Sequence, residues 1–243
     1  MKILGVETST AINSVAVLSG GKVLSEITQN NGATQSALLA LNIKKALESA
    51  SLKFEELDGL AVSIGPGSFT ALRVGVSYAK GLAFATKKNI TGVPSLDALS
   101  CRYFEGIKKV SEAYGSVSKD RLVCPMGDAR KNEVYFSAYT EGENGEILKL
   151  LPESSASIEK VLGVVSGLGA KNIVFQGEGA VKYSADIKRI LGSCVLAPDP
   201  KRMPSAVSVA ELGAAMLDRG EAQEFGSLLP LYIRKSDAEL GIR

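Results

Sequence analysis

The sequence predicts a duplicated α/β fold in two lobes, because the same order of elements occurs twice along its 243 residues. In each half, three short apolar runs separated by turn residues precede a helical pattern, and a further strand and helix follow. Each half also contains a strand that leads through glycines into a helix, at residues 65–67 and again at 177–179. Two βββαβα units in tandem predict two α/β lobes with a cleft between them.

The first half opens with three strands in a meander and continues with alternating helices and strands. Gly20 and Gly21 are typical of a hairpin turn, and apolar residues at helical spacing begin soon after the third strand. A short helical turn is expected at 54–57. In order, the predicted elements are strands at 2–7, 14–18 and 23–27, a helix at 35–49, a strand at 60–64, a helix at 71–87, a strand at 90–93 and a helix at 96–104.

Residues 105–119 are polar with little periodicity, and we predict that they link the two lobes. The predicted domains are therefore 1–104 and 120–243, and the last helix of the chain is allowed to pack back on the first lobe. The second half repeats the order of the first. Its predicted elements are strands at 122–126, 133–139 and 147–150, a helix at 158–165, a strand at 173–176 and helices at 185–191 and 207–217.

The composition is that of an ordinary globular protein and excludes several kinds of chemistry. Hydrophobic residues make up 45% of the chain, charged residues 22%, and the net charge is +2, which is too balanced to indicate a nucleic-acid surface. No apolar run approaches the roughly 20 residues of a membrane span. The chain has no histidine, which excludes Ser-His-Asp triads, Cys-His dyads and zinc sites of the usual histidine type. Three scattered cysteines favour a reducing cytoplasm over a disulfide framework.

The loop at residues 65–68 is the candidate binding element of the first half. A strand, a glycine turn and a helix start present backbone N–H groups beside the positive end of a helix, where an anion can bind. The alternative is a tight turn that needs glycine only for its geometry. No lysine lies between Gly65 and Lys80, which excludes a P-loop, and Thr70 stands where a dinucleotide fingerprint needs glycine. The candidate phosphate-loop residues in the two halves are Glu7, Thr8, Ser9, Gly65, Gly67, Ser68, Gly177 and Gly179.

The helix predicted at 71–87 carries small residues on two nearly opposite faces. One ridge is formed by Gly75, Ala79 and Ala83, and the other by Ser77, Gly81 and Ala85. Small residues allow close approach, so the pattern indicates a helix packed on both sides, by its own sheet and by a second helix. That second helix could belong to this chain or to a partner, and the sequence does not indicate which ridge faces outward.

Four segments of the chain resemble the TsaB family of bacterial tRNA-modification proteins. They are residues 3–9, the Gly-Pro-Gly-Ser-Phe-Thr string at 65–70, the segment at 128–135 and the ending at 230–234. The resemblance implies the actin/Hsp70/sugar-kinase-like fold, in agreement with the duplicated units. It also implies a cytoplasmic, non-catalytic partner of the paralogue TsaD in threonylcarbamoylation of the adenosine next to the tRNA anticodon.

The resemblance further implies which molecules this chain meets. TsaD is the expected partner, a TsaE-like ATPase is the third protein, and the chain alone is expected to form a homodimer. Contact with tRNA is expected only through the complex, and no contact with a membrane is expected. No cofactor is assigned to the chain, although the complex could bind ATP or ADP. The residues expected at the partner interface are Leu38, Leu39, Leu41, Arg73, Gly75, Val76, Ser77, Ala79, Lys80 and Gly81.

The resemblance also bears on catalysis. TsaD-like proteins carry two metal-binding histidines, and the matching positions here are Ser95 and Leu99. Neither side chain replaces an imidazole ligand, so we expect no metal and no catalytic residue. The alternative function is a nucleotide-binding ATPase or phosphotransferase that uses the two glycine loops, although the sequence identifies no carboxylate base for it.

Two charged segments have both a functional and an ordinary interpretation. Residues 128–133 begin a strand with alternating charge, which predicts either a polar corner at the cleft or an exposed strand edge. Arg234 and Lys235 near the end could form a small basic patch for tRNA, but two charges give a weak phosphate footprint.

Overall fold

The computed structural model describes residues 1–30, 35–114, 121–143, 145–192, 195–196 and 203–234. They form two compact units, and the chain passes between the units three times. The first unit comprises Met1–Ala98 and Pro204–Tyr232, and the second comprises Leu99–Met203 and Ile233–Arg243.

A five-stranded sheet forms the centre of the first unit, in the order β3-β2-β1-β4-β5. The first three strands are antiparallel, whereas β4 and β5 run parallel to β1. The strands are β1 (Lys2–Glu7), β2 (Ile12–Ser19), β3 (Lys22–Asn30), β4 (Gly59–Gly65) and β5 (Asn89–Pro94). The helices of this unit are α1 (Gln35–Ser49), α2 (Phe69–Thr86), the start of α3 (Ser95–Tyr114) and α7 (Ala206–Asp218), with a 3-10 turn at Phe54–Glu56.

Helices cover both faces of this sheet, as the alternation along β1 requires. Leu4 and Val6 contribute to a core shared with α1 and α2. Ile3, on the opposite face, contributes to a core shared with Ala206, Val209 and Ala210 of α7. The first sheet is therefore completed by a helix from the end of the chain.

The second unit repeats this topology, with a sheet in the order β10-β9-β6-β7-β8. Its antiparallel meander is β6 (Arg121–Arg130), β7 (Glu133–Glu141) and β8 (Ile147–Ser157), and its parallel strands are β9 (Asn172–Gln176) and β10 (Val195–Leu196). One face packs on α4 (Ile158–Ser166), α5 (Glu178–Lys182) and α6 (Ser184–Leu191). On the other face, Tyr103 and Phe104 of α3 pack with Val123, Tyr139 and Val174. The predicted duplicated α/β architecture is confirmed.

Two details of the predicted domain organisation are corrected by the structure. Residues 105–114 are not a linker, because α3 continues to Tyr114, and residues 115–119 lie outside the described part of the chain. The apolar residues Phe104, Ile107 and Val110 recur every third position, a helical signal hidden by the lysines and glutamates between them. The division at 104 and 120 is also corrected, because the first unit's opening segment ends at Ala98. The last helix packs on the first unit, as the prediction allowed, and residues 204–232 belong to that unit.

Among the described residues, no helix is both long enough and apolar enough to cross a membrane.

The return of α7 to the first unit leads to a prediction about Gly213→Ala. A Cβ on Gly213 would lie 2.2 Å from the Cβ of Ala61 in β4, so one of the two elements must move. We expect the variant to lose roughly 1–3 kcal/mol of unfolding free energy through overpacking, measured by urea denaturation.

Gly163→Ala is the matched control, because Gly163 is also helical and has no atom within 4 Å of the position of its Cβ. Helix propensity alone should stabilise this control by about 1 kcal/mol. Equal effects in the two variants would contradict the packing of α7 on β4.

Candidate functional site

The glycine loop after β4 packs against the turn that follows β1. Gly65 has a φ of 106°, in the region that favours glycine. The Ser68 amide donates a hydrogen bond to the Ser9 carbonyl oxygen at 2.7 Å. A Cβ on Gly67 would lie only 2.2 Å from that same oxygen, so residue 67 has no room for a side chain. Ser68 precedes α2 as its N-cap residue, although its side chain makes no capping hydrogen bond.

The same turn contacts the first part of α2. A Cβ on Gly75 would lie 2.2 Å from Oγ1 of Thr8, so Gly75 is required where the helix crosses the turn. The Thr8 amide donates a hydrogen bond to Oγ of Ser63 in β4 at 3.3 Å. The predicted candidates Thr8, Ser9, Gly67 and Ser68 are therefore brought together by packing within the first unit.

Glu7 ends β1 and is completely buried beside this turn. Its Oε1 accepts a hydrogen bond from the Ser9 amide. Burial raises the pKa of the carboxyl above its ordinary value, although hydrogen bonds from Ser9 and Ser63 act in the opposite direction. Folding therefore favours the protonated form of this carboxyl more than the unfolded chain does.

The second glycine loop repeats this close packing. Gly177, between β9 and α5, has a φ of 94°, and a Cβ there would lie 2.3 Å from the carbonyl oxygen of Met126 in β6. A Cβ on Gly179 would lie 3.1 Å from the carbonyl oxygen of Gly127. In both units the glycines admit neighbouring backbone, so packing accounts for them without a phosphate. Their role as phosphate loops stays a prediction.

A polar cluster surrounds Asp128 near the end of β6. Nζ of Lys182 lies 2.9 and 3.0 Å from the two carboxylate oxygens of Asp128. The Asp128 amide donates to Oε1 of Glu178 at 3.3 Å, and burial raises the pKa of the Glu178 carboxyl. Arg234 donates to the carbonyl oxygen of Ala129 at 2.9 Å, and Lys235 lies outside the described residues. Arg234 therefore binds the chain itself, and Lys182 forms an ion pair with Asp128 in this corner.

The two small-residue ridges of α2 differ sharply in exposure. Gly75, Ala79 and Ala83 are buried against the sheet. Ser77, Gly81 and Ala85 are exposed, and no atom lies within 4 Å of the position of a Cβ on Gly81. Phe84, beside this outer ridge, exposes 66% of its surface. We call Ser77, Gly81, Phe84 and Ala85 the outer face of α2.

Four of the residues predicted at the partner interface are core residues, which corrects that part of the prediction. Leu39, Gly75, Val76 and Ala79 are buried in the first unit, because the helices turn these positions towards the sheet. The remaining candidates reach the surface in whole or in part. They are Leu38, Leu41, Arg73, Ser77, Lys80 and Gly81.

Sequence reasoning missed the segment that runs beside α2. Residues 223–232, here called the strap, bind α2 through Nζ of Lys80, which donates to the carbonyl oxygens of Gly226 and Leu228 at 3.4 and 3.0 Å. The strap adds exposed apolar side chains at Phe225, Leu229 and Tyr232. The sequence shows apolar residues near the end of the chain, but it does not indicate which helix these residues contact.

The two positions that match the metal-binding histidines of TsaD-like proteins are buried in this chain. Ser95 is the first residue of α3 and is 2% exposed, and Leu99, one turn later, is also 2% exposed. Within the described ranges, no three His, Cys, Asp or Glu side chains are grouped as metal ligands would be.

Two units with the same βββαβα topology define a protein of the actin/Hsp70/sugar-kinase-like fold class, as predicted. More narrowly, the chain belongs to the family described as TsaD: tRNA N6-adenosine threonylcarbamoyltransferase, whose model matches residues 22–240.

Individual relatives confirm the resemblance to TsaB. The chain is 26% identical over 242 residues to the tRNA threonylcarbamoyladenosine biosynthesis protein TsaB of Bacillus subtilis, covering 98% of this chain and 96% of the relative. It is 37% identical over 113 residues to a tRNA N6-adenosine threonylcarbamoyltransferase of Clostridium novyi, covering 40% of this chain and 33% of that protein. A solved Pseudomonas aeruginosa structure, described as similar to peptidase YEAZ, superposes with a TM-score of 0.77 at 26% identity, covering 96% and 99% of the two chains.

The burial of Glu7 leads to a prediction about pH. Because the folded-state pKa is raised, this carboxyl favours folding below its unfolded-state pKa, and that contribution is lost as pH rises through the folded value. Glu7→Gln keeps the shape without the ionisation. We expect the unfolding free energy of the wild type to fall, relative to that of the variant, by up to about 1.4 kcal/mol per pH unit in this window.

The measurement is urea unfolding at a series of pH values from 4 to 8. Glu55→Gln is the control, because Glu55 is exposed and the hydrogen bond that Lys88 donates to it ends on the main-chain carbonyl oxygen, which the substitution keeps. Parallel pH profiles of the wild type and Glu7→Gln would show that Glu7 ionises as freely in the folded chain as in the unfolded one.

Proposed function

We propose that this chain is a non-catalytic partner subunit in tRNA threonylcarbamoyladenosine biosynthesis, which binds a TsaD-type transferase through the outer face of α2. The observation that carries the proposal is the exposed ridge of small residues beside Phe84, on a helix whose opposite face is already used by its own sheet. The nearly full-length relative named TsaB supports the biosynthetic role.

The non-catalytic part of the proposal rests on the residues at the matching metal positions. A hydroxyl at Ser95 and an alkyl chain at Leu99, both buried, offer no imidazole, and the chain contains no histidine elsewhere. A transition-metal centre of the histidine type has no ligands here. The chemistry of the complex is therefore assigned to the partner.

Shared ancestry favours a partner of the same fold. The family model matches 22–240, and the Clostridium novyi transferase is similar over 113 residues, so a transferase of this kind offers a comparable helix. Two helices with small residues at their contact can approach closely and exclude water. We also propose that a TsaE-type ATPase is the third protein, that the isolated chain forms a homodimer, and that it contacts tRNA only through the complex. The proposed location is the cytoplasm.

The alternative is a nucleotide-binding ATPase or phosphotransferase that uses the glycine loops. Two observations disfavour it. The Ser68 amide, which an anion at the start of α2 would need, is bonded to Ser9, and the glycines admit backbone rather than open space. Calorimetric titration of the isolated chain with ATP and ADP decides between the two functions, and ATP or ADP in the complex stays part of the proposal.

The first prediction of this proposal compares three tryptophan variants. Gly81→Trp should fold, because a side chain at position 81 would point into open space. It should weaken binding to the TsaD-type protein of the same organism roughly tenfold or more, because the tryptophan would overpack the contact. Ala79→Trp should unfold, because Ala79 is completely buried. Circular dichroism measures folding, and size-exclusion chromatography with calorimetry measures binding.

Gly163→Trp is the matched control, since Gly163 is an exposed helical glycine of the second unit with equally open surroundings. It should fold and bind like the wild type. Normal binding by Gly81→Trp would place the interface elsewhere.

The second prediction concerns activity. The chain alone should transfer no threonylcarbamoyl group to tRNA, and adding it to the TsaD-type and TsaE-type proteins should raise product formation, measured by mass spectrometry of digested tRNA. Gly81→Trp should remove this stimulation in proportion to the binding that it loses. Transfer by the chain alone would refute the non-catalytic assignment.

A further inference from the structure

A short, well-bonded connection at residues 219–222 joins α7 to the strap. Gly220 has a φ of 78°, and its amide donates to the carbonyl oxygen of Leu217 at 3.0 Å, so the chain turns sharply at the end of α7. The Glu221 amide donates back to the carbonyl oxygen of Met216 at 2.9 Å. The start of the strap is therefore fixed to the end of α7.

This connection runs along β5, the edge strand of the first sheet. Oγ1 of Thr91 donates to the carbonyl oxygen of Glu221 at 3.3 Å. The Gln223 amide donates to the carbonyl oxygen of Ile90 at 2.8 Å, and its side-chain Oε1 accepts from the Gly92 amide at 2.9 Å. Gln223 thus supplies both a donor and an acceptor to the outer edge of β5, as a neighbouring strand would.

Beyond the edge of the sheet, the strap continues on the face opposite α7. Leu228 is 1% exposed and belongs to the core that α1 and α2 share. The Leu231 amide donates to the carbonyl oxygen of Ile64 in β4 at 2.7 Å. The Phe225 ring lies edge-on against Phe84 of α2, with centroids 5.3 Å apart. One continuous segment, 204–232, therefore covers one face of the sheet, follows its edge and reaches α2 on the other face.

The other end of α7 is fixed on the far side of the sheet. Oγ of Ser205 accepts from the Val207 amide at 3.1 Å and donates to Oε1 of Glu26 in β3 at 2.8 Å. The Ala206 amide donates to Oγ of Ser14 in β2 at 3.2 Å. In contrast, α2 packs mainly on β4, on the opposite face. The start of α7 is therefore a place where this helix can be loosened without touching α2.

We infer that the strap and residues 219–222 couple the two faces of the first sheet, so that α7 and α2 loosen together although they lie on opposite faces. Proteins open locally in contiguous cooperative units, and two helices tied by four residues and by bonds along one strand edge belong to one such unit. The consequence for binding rests on the proposed function. The outer face of α2 is held in place for a partner only while α7 is docked.

Hydrogen–deuterium exchange, followed by mass spectrometry on the full chain, tests the coupling with Ser205→Ala. Loss of the cap should make exchange in α7 about fivefold faster, and coupling predicts a similar factor in α2. Ser157→Ala is the matched control, because Ser157 precedes α4 of the second unit without a capping hydrogen bond from its side chain. This control should change neither helix. Glu26→Gln weakens the same contact from an exposed position and replaces Ser205→Ala if that variant does not fold.

Gln223→Ala tests whether the coupling passes along the edge of β5. The substitution keeps the amide that binds Ile90 and removes the acceptor of the Gly92 amide. Gln223 is exposed, so the variant should fold, which circular dichroism checks. When Gln223→Ala is added to Ser205→Ala, the response of α2 to the loss of the cap should shrink, whereas α7 should still respond about fivefold.

Two results on the free chain would overturn the inference. If Ser205→Ala speeds exchange in α7 and leaves α2 unchanged, the two helices open independently. If α2 responds equally with and without the Gln223 side chain, the coupling passes through the sheet and the strap has no part in it.

Adding the TsaD-type protein of the same organism tests the consequence for binding. Because coupling is reciprocal, the partner should slow exchange in α7 as well as in α2. Protection of α2 without α7 would keep the proposed function and overturn the coupling. Protection of neither helix would remove the proposed interface, while coupling measured in the free chain would stand.

Discussion

The first unit depends on covering both faces of one sheet. A strand such as β1 sends alternate side chains to opposite faces, and here both sets are apolar, so each face needs a helical layer. The pair α1 and α2 covers one face, and α7 covers the other after the chain has passed through residues 99–203 of the second unit. The chain therefore has to return to the first unit, because residues 1–98 alone leave one face of its sheet without a helical layer.

Covering the sheet also decides which part of α2 is left over. The ridge of Gly75, Ala79 and Ala83 is used in packing on the sheet and on the turn after β1. The ridge of Ser77, Gly81 and Ala85 has no such use within the described residues of the first unit. A helix that needs small residues on its inner face for packing, and carries them on its outer face as well, is suited to contact a second helix there.

The sequence predicted much of the fold because its signals are local. Apolar or alternating runs of four to seven residues, glycine turns and helical spacing predicted nine of the ten strands in the described part of the chain and its main helices, and the repeated order predicted the duplication. The return of α7 and the length of α3 depend on which residues meet across a long separation, and periodicity carries no such information. For α2, periodicity predicted two opposed ridges, and only packing on the sheet showed which of them faces outward.

The candidate site divides in the same way. The glycines at 65 and 67 were visible as a motif, but Ser9, the closest neighbour of Gly67, is almost sixty residues away in the sequence, and this contact is what accounts for Gly67 by packing. The strap was invisible for a related reason, since Phe225 and Tyr232 meet side chains about 140 and 160 residues earlier in the sequence. These long-range contacts also hold α2 in place. Thr8 and Ser9 fix the start of the helix and the strap fixes its flank, so a partner that bound the proposed outer face would leave little conformational freedom to lose. In this chain the glycine loop fixes the placement of α2 through its packing on the turn after β1.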